Sequence, residues 1–222
     1  PQGAWKIDNT MEIYDNEILI DVSTLNIDAA SFTQIKKEAE GSEARVAEIV
    51  LDIVARRGKH HNPVTGSGGM LIGTVAQIGP ALAGKSELKV GDKIATLVSL
   101  SLTPLRIDAI SKIHMHKDQI EIAGQAILFE TGLYAKLPDD IPEKMALAIL
   151  DVAGAPAQTA RLVQAGDTVV IIGGGGKSGT LCVYEAKKRA GSTGCVIGVS
   201  PFEKDCQRMK ALGWVDHTLQ VD

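Results

Sequence analysis

Apolar and polar positions change rhythm between Pro138 and Pro142. Before that point, short alternating runs and turns predominate, with one long insertion. After it, helix-like and strand-like segments take turns. Residues 17–22 alternate in the way of a strand with one buried face. In 42–57, Val46, Ile49, Val50, Ile53 and Val54 recur at helical spacing and form a single apolar stripe. Glu43 and Glu48 lie toward the start of that helix and Arg56 and Arg57 in its last turn, as the helix dipole favours. Gly58 offers a left-handed stop. The pair His60-His61, then Asn62-Pro63 and the glycine-rich turn Gly66-Ser67-Gly68-Gly69, follow. Strands are expected at 70–78, 93–98 and 126–129, the second entered through Val90-Gly91-Asp92. Residues 137–140 read as loop, and Pro142 suits the first turn of a helix.

The second part reads as helix 142–150, a helix after Pro156, strand 168–172, helix 176–190, strand 194–199, helix 203–212 and a strand begun at 215–221. The strand at 168–172 is rich in β-branched residues and is expected to be buried. A βαβαβ order predicts a parallel sheet with right-handed crossovers. The fold class is therefore α/β. Two domains are expected, 1–141 and 142–222, the second holding only the first half of a dinucleotide fold. The chain is expected to be incomplete.

Composition narrows the function. The 222 residues are 45% hydrophobic and 23% charged, an ordinary globular balance. A net charge of -4 lacks the basic excess of a nucleic-acid binder. No apolar run approaches the roughly 18 residues that cross a bilayer, and the residues after Pro1 show no basic-then-apolar leader. The three cysteines, Cys182, Cys195 and Cys206, are too widely spaced for a metal knuckle and odd in number. They read as thiols of a reducing cytoplasm.

The strongest chemical signal is Ile172-Gly173-Gly174-Gly175-Gly176-Lys177-Ser178-Gly179, which follows a strand and opens a helix. Diphosphate oxygens must approach backbone N–H groups closely, and a helix N-terminus adds unpaired donors and partial positive charge. G-x-G-x-x-G fits literally at Gly174, Gly176 and Gly179. It also fits at Gly173, Gly175 and Ser178, a register that puts its first glycine directly after the strand and is preferred for that reason. The expected cofactor-binding residues are Gly173, Gly175, Gly176, Lys177, Ser178 and Ser200. A P-loop would need glycine at 171, where isoleucine stands. A merely tight turn is the other alternative. Ser200 holds the place after the second strand where an acid grips a ribose. Serine does not repel a 2′-phosphate, Lys204 is near in sequence and Glu203 could reach a ribose, so these residues leave NAD and NADP both open.

With the turn in place, the whole order resembles the medium-chain dehydrogenase/reductase superfamily. The resemblance rests on Gly166-Asp167-Thr168-Val169-Val170-Ile171-Ile172-Gly173, Ala211-Leu212-Gly213-Trp214-Val215-Asp216, Leu88-Lys89-Val90-Gly91-Asp92-Lys93 and Lys136-Leu137-Pro138-Asp139-Asp140. More specifically, 11–21, 62–73 and 151–157 are similar to the L-erythro-3,5-diaminohexanoate dehydrogenase family of lysine fermentation. The resemblance implies a GroES-like β-rich catalytic domain before a Rossmann domain. It implies NAD as cofactor and oxidative deamination of a small-molecule diamino acid, (3S,5S)-3,5-diaminohexanoate, to 5-amino-3-oxohexanoate. It also implies a cytoplasmic homodimer with no nucleic-acid or membrane partner.

No metal is expected. At the positions where zinc-dependent relatives carry ligands stand Asp28, Gly69, Met70 and Val152, with Asp151 beside the last. Zinc catalysis needs three protein ligands and an open position. Gly68 and Gly69 are expected to leave room for a dicationic substrate. Its ammonium must lose a proton before hydride departs, and water must then be activated. Asp28, Asp151 and His61 are the candidate catalytic residues. Each has a plainer reading: Asp28 as a helix N-cap, Asp151 as a helix end, His61 with His60 as solvated loop histidines. Lys59 or Arg106 could pair the substrate carboxylate, and the hydroxyls of 99–103 could line a pocket. The competing functions are an NADPH-dependent quinone or enoyl reductase, a nucleotide-binding module without turnover, and a P-loop phosphotransferase.

Overall fold

The computed structural model describes residues 3–138 and 140–221; Asp139, in the loop expected at 137–140, lies outside them. The chain divides into two compact units, Pro1–Asp151 and Val152–Asp222.

The first unit is built on β1 (Glu17–Ile27), followed by α1 (Ala29–Glu38) and α2 (Glu43–Arg57). Then come β2 (Gly69–Ile78), β3 (Lys93–Thr96), β4 (Leu105–His114), β5 (Gln119–Phe129) and β6 (Tyr134–Lys136). They form a six-stranded sheet in the order β4-β5-β1-β2-β3-β6, antiparallel throughout. β1 runs well past residue 22. Its register shifts between Val22 and Thr24 against both neighbours, and Leu25, Asn26 and Ile27 are all buried. A bulge followed by burial on both faces erases the period of two that marks a strand in sequence. β4, which the pattern did not show at all, is an edge strand with two register shifts of its own.

The apolar stripe of α2 packs as its spacing predicts. Ser42 caps the helix through Oγ, and Gly58 ends it at φ 69°. Val46, Val50 and Val54 join Phe32 and Ile35 of α1 and Ile20, Leu25 and Leu71 of the sheet in one core. The helix α3 (Glu143–Leu150) belongs to this unit as well, so residues 142–151 fall on the near side of the division expected at 142. Leu147 is the physical reason, buried with Met70 and Ile72 of β2 and Ala95 of β3.

The second unit comprises α4 (Gly154–Leu162), β7 (Thr168–Ile172), α5 (Lys177–Ala190), β8 (Cys195–Ser200), α6 (Glu203–Leu212) and β9 (His217–Gln220). Its three strands are parallel in the order β7-β8-β9. Val183, Ala186, Val196, Cys206 and Met209 pack between sheet and helices. β7 corrects the expectation of a buried strand: Val170 is 54% and Ile172 86% exposed. Among the described residues it stands at one end of the three-strand order. The three cysteines are free thiols. No helix among the described residues is long and apolar enough to cross a membrane.

Candidate functional site

The turn after β7 is held by its own backbone. The Gly173 and Gly174 N–H groups both donate to the Val199 carbonyl, at 2.9 and 3.0 Å, and the Gly176 N–H donates to Gly173 O at 3.0 Å. Gly173 has φ 77°, where only glycine is unstrained, and a Cβ there would meet nothing within 4 Å. Gly176 caps α5, and a Cβ on it would touch only Gly173 O, at 3.4 Å. At Gly179, by contrast, a Cβ would lie 2.1 Å from the Gly173 oxygen and 2.8 Å from Gly174 Cα. Gly179 is therefore the glycine that lets helix and strand close, and the register ending at Ser178 is corrected to the literal one ending at Gly179. Ser178 instead donates its Oγ to Val152 O at 3.4 Å. Lys177 is exposed in the first turn of α5. Bare backbone at a helix start, where first-turn N–H groups have no intrahelical acceptor, fits the diphosphate of a dinucleotide.

Two expected cofactor residues face differently from what their positions suggest. Gly175 does not present open backbone, because a Cβ there would lie 2.3–2.5 Å from Asp205 Cβ, Cγ and Oδ2. Ser200 is 2% exposed; its Oγ donates to Asp205 Oδ2 at 3.0 Å and accepts the Phe202 N–H at 3.2 Å. Glu203 turns along its own helix to Gln207, at 3.2 Å. Asp205 and Arg208 were not singled out from sequence. The available signal was an acid one helical turn beyond a strand end that lacks one.

In the first unit, the end of β1 meets the loop after α2. Asp28 caps α1, Oδ1 accepting the Ala30 N–H at 3.1 Å, while its own N–H donates to Gly68 O at 3.3 Å. His60 is fully buried, and neither ring nitrogen makes a hydrogen bond of normal geometry. Burial pushes its pKa down to about 4; His61 lowers it further, while the Gly68 backbone and Asp28 oppose the shift. His61 is half-buried, its Nδ1 lacks a partner, and burial, Arg57 and Lys59 hold its pKa below the usual value. Lys59 is buried, and desolvation and then Arg57 depress its pKa. The structure thus brings Asp28, His60 and His61 together. Asp151 ends α3, its N–H donating to Leu147 O at 3.1 Å, on a helix that packs against β2.

The room expected at Gly68 and Gly69 is filled by backbone. A Cβ on Gly68 would lie 2.4 Å from Ser101 N, and one on Gly69 2.0 Å from Asn26 O. These glycines permit close chain approach. Arg106 is engaged by Asp108 and Gln125 on the sheet. The hydroxyls of 99–103 bond within their own loop, Ser99 to Ser101 at 2.8 Å and Thr103 to Ser99 O at 2.9 Å. Among the described residues no three His, Cys, Asp or Glu side chains gather as a metal site would require. A 560 Å³ cavity, lined by Tyr14, Pro104, Ile127 and Phe129, holds none of the expected residues.

A solved mycobacterial quinone oxidoreductase aligns with 97% of this chain and 54% of its own at a TM-score of 0.58, with 19% sequence identity, a likeness of fold alone. The chain is 60% identical over 219 residues to the L-erythro-3,5-diaminohexanoate dehydrogenase of Acetoanaerobium sticklandii, matching 99% of this chain and 64% of that protein. It is 64% identical over 205 residues to the protein of that name from Fusobacterium nucleatum subsp. nucleatum, 92% of this chain and 59% of the relative. The fold is α/β, a GroES-like antiparallel unit followed in the chain by a Rossmann-like parallel unit with a glycine turn. The family model of the L-erythro-3,5-diaminohexanoate dehydrogenase N-terminal domain matches residues 1–138. The chain belongs to the L-erythro-3,5-diaminohexanoate dehydrogenase family, and spans 64% and 59% of the length of these two relatives.

Proposed function

We propose that this protein oxidatively deaminates (3S,5S)-3,5-diaminohexanoate to 5-amino-3-oxohexanoate with NAD as hydride acceptor. The net reaction consumes the amine, water and the oxidised cofactor, and yields ketone, ammonium, the reduced cofactor and a proton. One observation carries the reading: a chain of this family closes its first βα turn on Gly179 and leaves Gly173 and Gly176 bare. Gly173, Gly176 and the first turn of α5, including Lys177, hold the diphosphate. When bound, the nicotinamide supplies the acceptor for hydride from the amine-bearing carbon.

The chain's own residues manage protons and charge. The reacting ammonium must be neutral before hydride can leave, and the resulting substrate iminium must take up water. Asp28 is the first candidate for both proton transfers. The helix cap engages its Oδ1, so the chemical role falls to Oδ2, and an ionised carboxylate also attracts the dicationic substrate. Asp151 is the second candidate. His61 relays protons, since its depressed pKa keeps it neutral near physiological pH. His60, neutral and buried, adds no positive charge to repel the ammonium groups.

The test is turnover by the whole protein of the diamino acid with NAD, reading reduced nicotinamide and ammonia together. Equal release of both is expected. No turnover, beside reduction of an enone with NADPH, would replace the reading with a quinone or enoyl reductase. The same reading makes the protein a cytoplasmic homodimer, which a mass measurement in solution checks for the assembly.

A further inference from the structure

Dinucleotide folds hold the adenosine ribose with an acid at the end of the second strand. Here that strand ends in Ser200, whose hydroxyl is buried and unsuited to reach outward. It donates instead to Asp205 Oδ2 at 3.0 Å, five residues on in the first turn of α6. That hydrogen bond turns the carboxylate back over the glycine turn. Asp205 Cβ, Cγ and Oδ2 stand where a side chain on Gly175 would begin, within 2.3–2.5 Å of an added Cβ. Glycine is required at 175 to admit this carboxylate.

Arg208 fixes the other side of the group. It donates to Asp205 Oδ1 at 3.1 Å and to the Gly175 carbonyl. The Asp205 side chain is 14% exposed, an edge of carboxylate held between a hydroxyl and a guanidinium. The arrangement puts negative charge beside the diphosphate turn, from Asp205 rather than from Ser200 or Glu203, the residues the sequence had pointed to.

We propose that Asp205 is the ribose anchor of this dinucleotide site and selects NAD over NADP. The inference rests on the dehydrogenase reading above and names the residue that discriminates its cofactor. A carboxylate accepts hydrogen bonds from the vicinal hydroxyls of the ribose in NAD. The 2′-phosphate of NADP removes one of those donors and brings a charge of about −2 against a fixed carboxylate. Ser200 is then a positioning residue. Arg208 holds Asp205 in place, and its charge becomes available to a 2′-phosphate once Asp205 is neutral. Lys204, its Nζ 5.5 Å from the Phe202 ring, lies on the same first turn and adds to that pull.

The experiment is calorimetric titration of the whole wild-type protein, Asp205→Asn and Arg208→Gln with NAD and with NADP, with thermal unfolding as a check on folding. Wild type is expected to prefer NAD. Asp205→Asn should weaken NAD roughly tenfold to hundredfold, the worth of a charge-assisted hydrogen bond, and tighten NADP. Arg208→Gln should weaken NADP further and NAD by less, and it keeps the test alive if the first variant folds poorly. A wild type that prefers NADP would overturn the anchor and leave the dehydrogenase reading standing. So would an Asp205→Asn protein with the wild-type ratio of the two affinities. Binding of neither dinucleotide by wild type would overturn the dehydrogenase reading and the anchor with it.

Discussion

His60 makes the first unit sensitive to acid, and the size of the effect follows from its burial. Its folded-state pKa is about 4, against 6.5 for an unperturbed histidine. Above the unfolded value both states are neutral and the group contributes nothing to pH dependence. As pH falls below it, the unfolded chain takes up a proton that the folded chain refuses, so stability is lost progressively until the folded pKa is passed. At about pH 5 the loss is about 2 kcal/mol, and it approaches about 3 kcal/mol once both states are protonated. Against a typical stability of roughly 5–15 kcal/mol that is a large fraction. The assay is urea unfolding near pH 7.5 and near pH 5 in a Trp214→Phe background, with Trp5 reporting on the first unit, because its ring lies 5.2 Å from the Arg57 guanidinium. The comparison is His60→Gln, whose amide cannot titrate. Any fixed cost of burying glutamine cancels between the two pH values, and the contribution of His61, which acts in the same direction, is common to the variant and its parent. An equal acid-induced loss in the variant and its parent would refute the burial of a neutral imidazole at this position.

Two further substitutions separate structural from chemical roles. Asparagine caps a helix as well as aspartate does, so Asp28→Asn should leave the melting temperature and NAD affinity unchanged while deamination falls at least tenfold; an unaltered rate in steady-state kinetics would confine Asp28 to its cap. Gly179→Ala should cost more than 1 kcal/mol of stability in the second unit and weaken NAD severalfold, because its Cβ would collide with the Gly173 carbonyl oxygen at 2.1 Å; calorimetry showing native affinity would move the closure of the turn elsewhere.

Periodicity revealed those elements whose faces are unequally buried. The stripe of α2 and the limits of α6 were legible, since one side of each helix is apolar and a glycine follows its last turn, while the strand at 168–172 was read from its β-branched residues. β1 beyond Val22 and the whole of β4 were not, because bulges shift the register and edge exposure mixes polar with apolar residues. The glycine turn was found from its spacing between a strand and a helix, and both registers were visible in it, but not which of the two closes the turn. Which glycine must lack a side chain depends on what lies above it, and Asp205 above Gly175 is brought there by the crossover from β8 to α6. The histidines show the same limit. The pair at 60–61 reads as loop, and only the approach of the Gly68 backbone decides that His60 is the buried member.

The most direct measurement follows one atom. The diamino acid carrying deuterium at C3, the amine-bearing carbon to be oxidised, is turned over by the whole protein with NAD, and the reduced nicotinamide is analysed by mass spectrometry. Deuterium transferred to the nicotinamide ring in step with ammonia release is the expected result. Deuterium lost to water or retained in unreacted substrate, with the ring unlabelled, would contradict the assignment of this protein as a dehydrogenase.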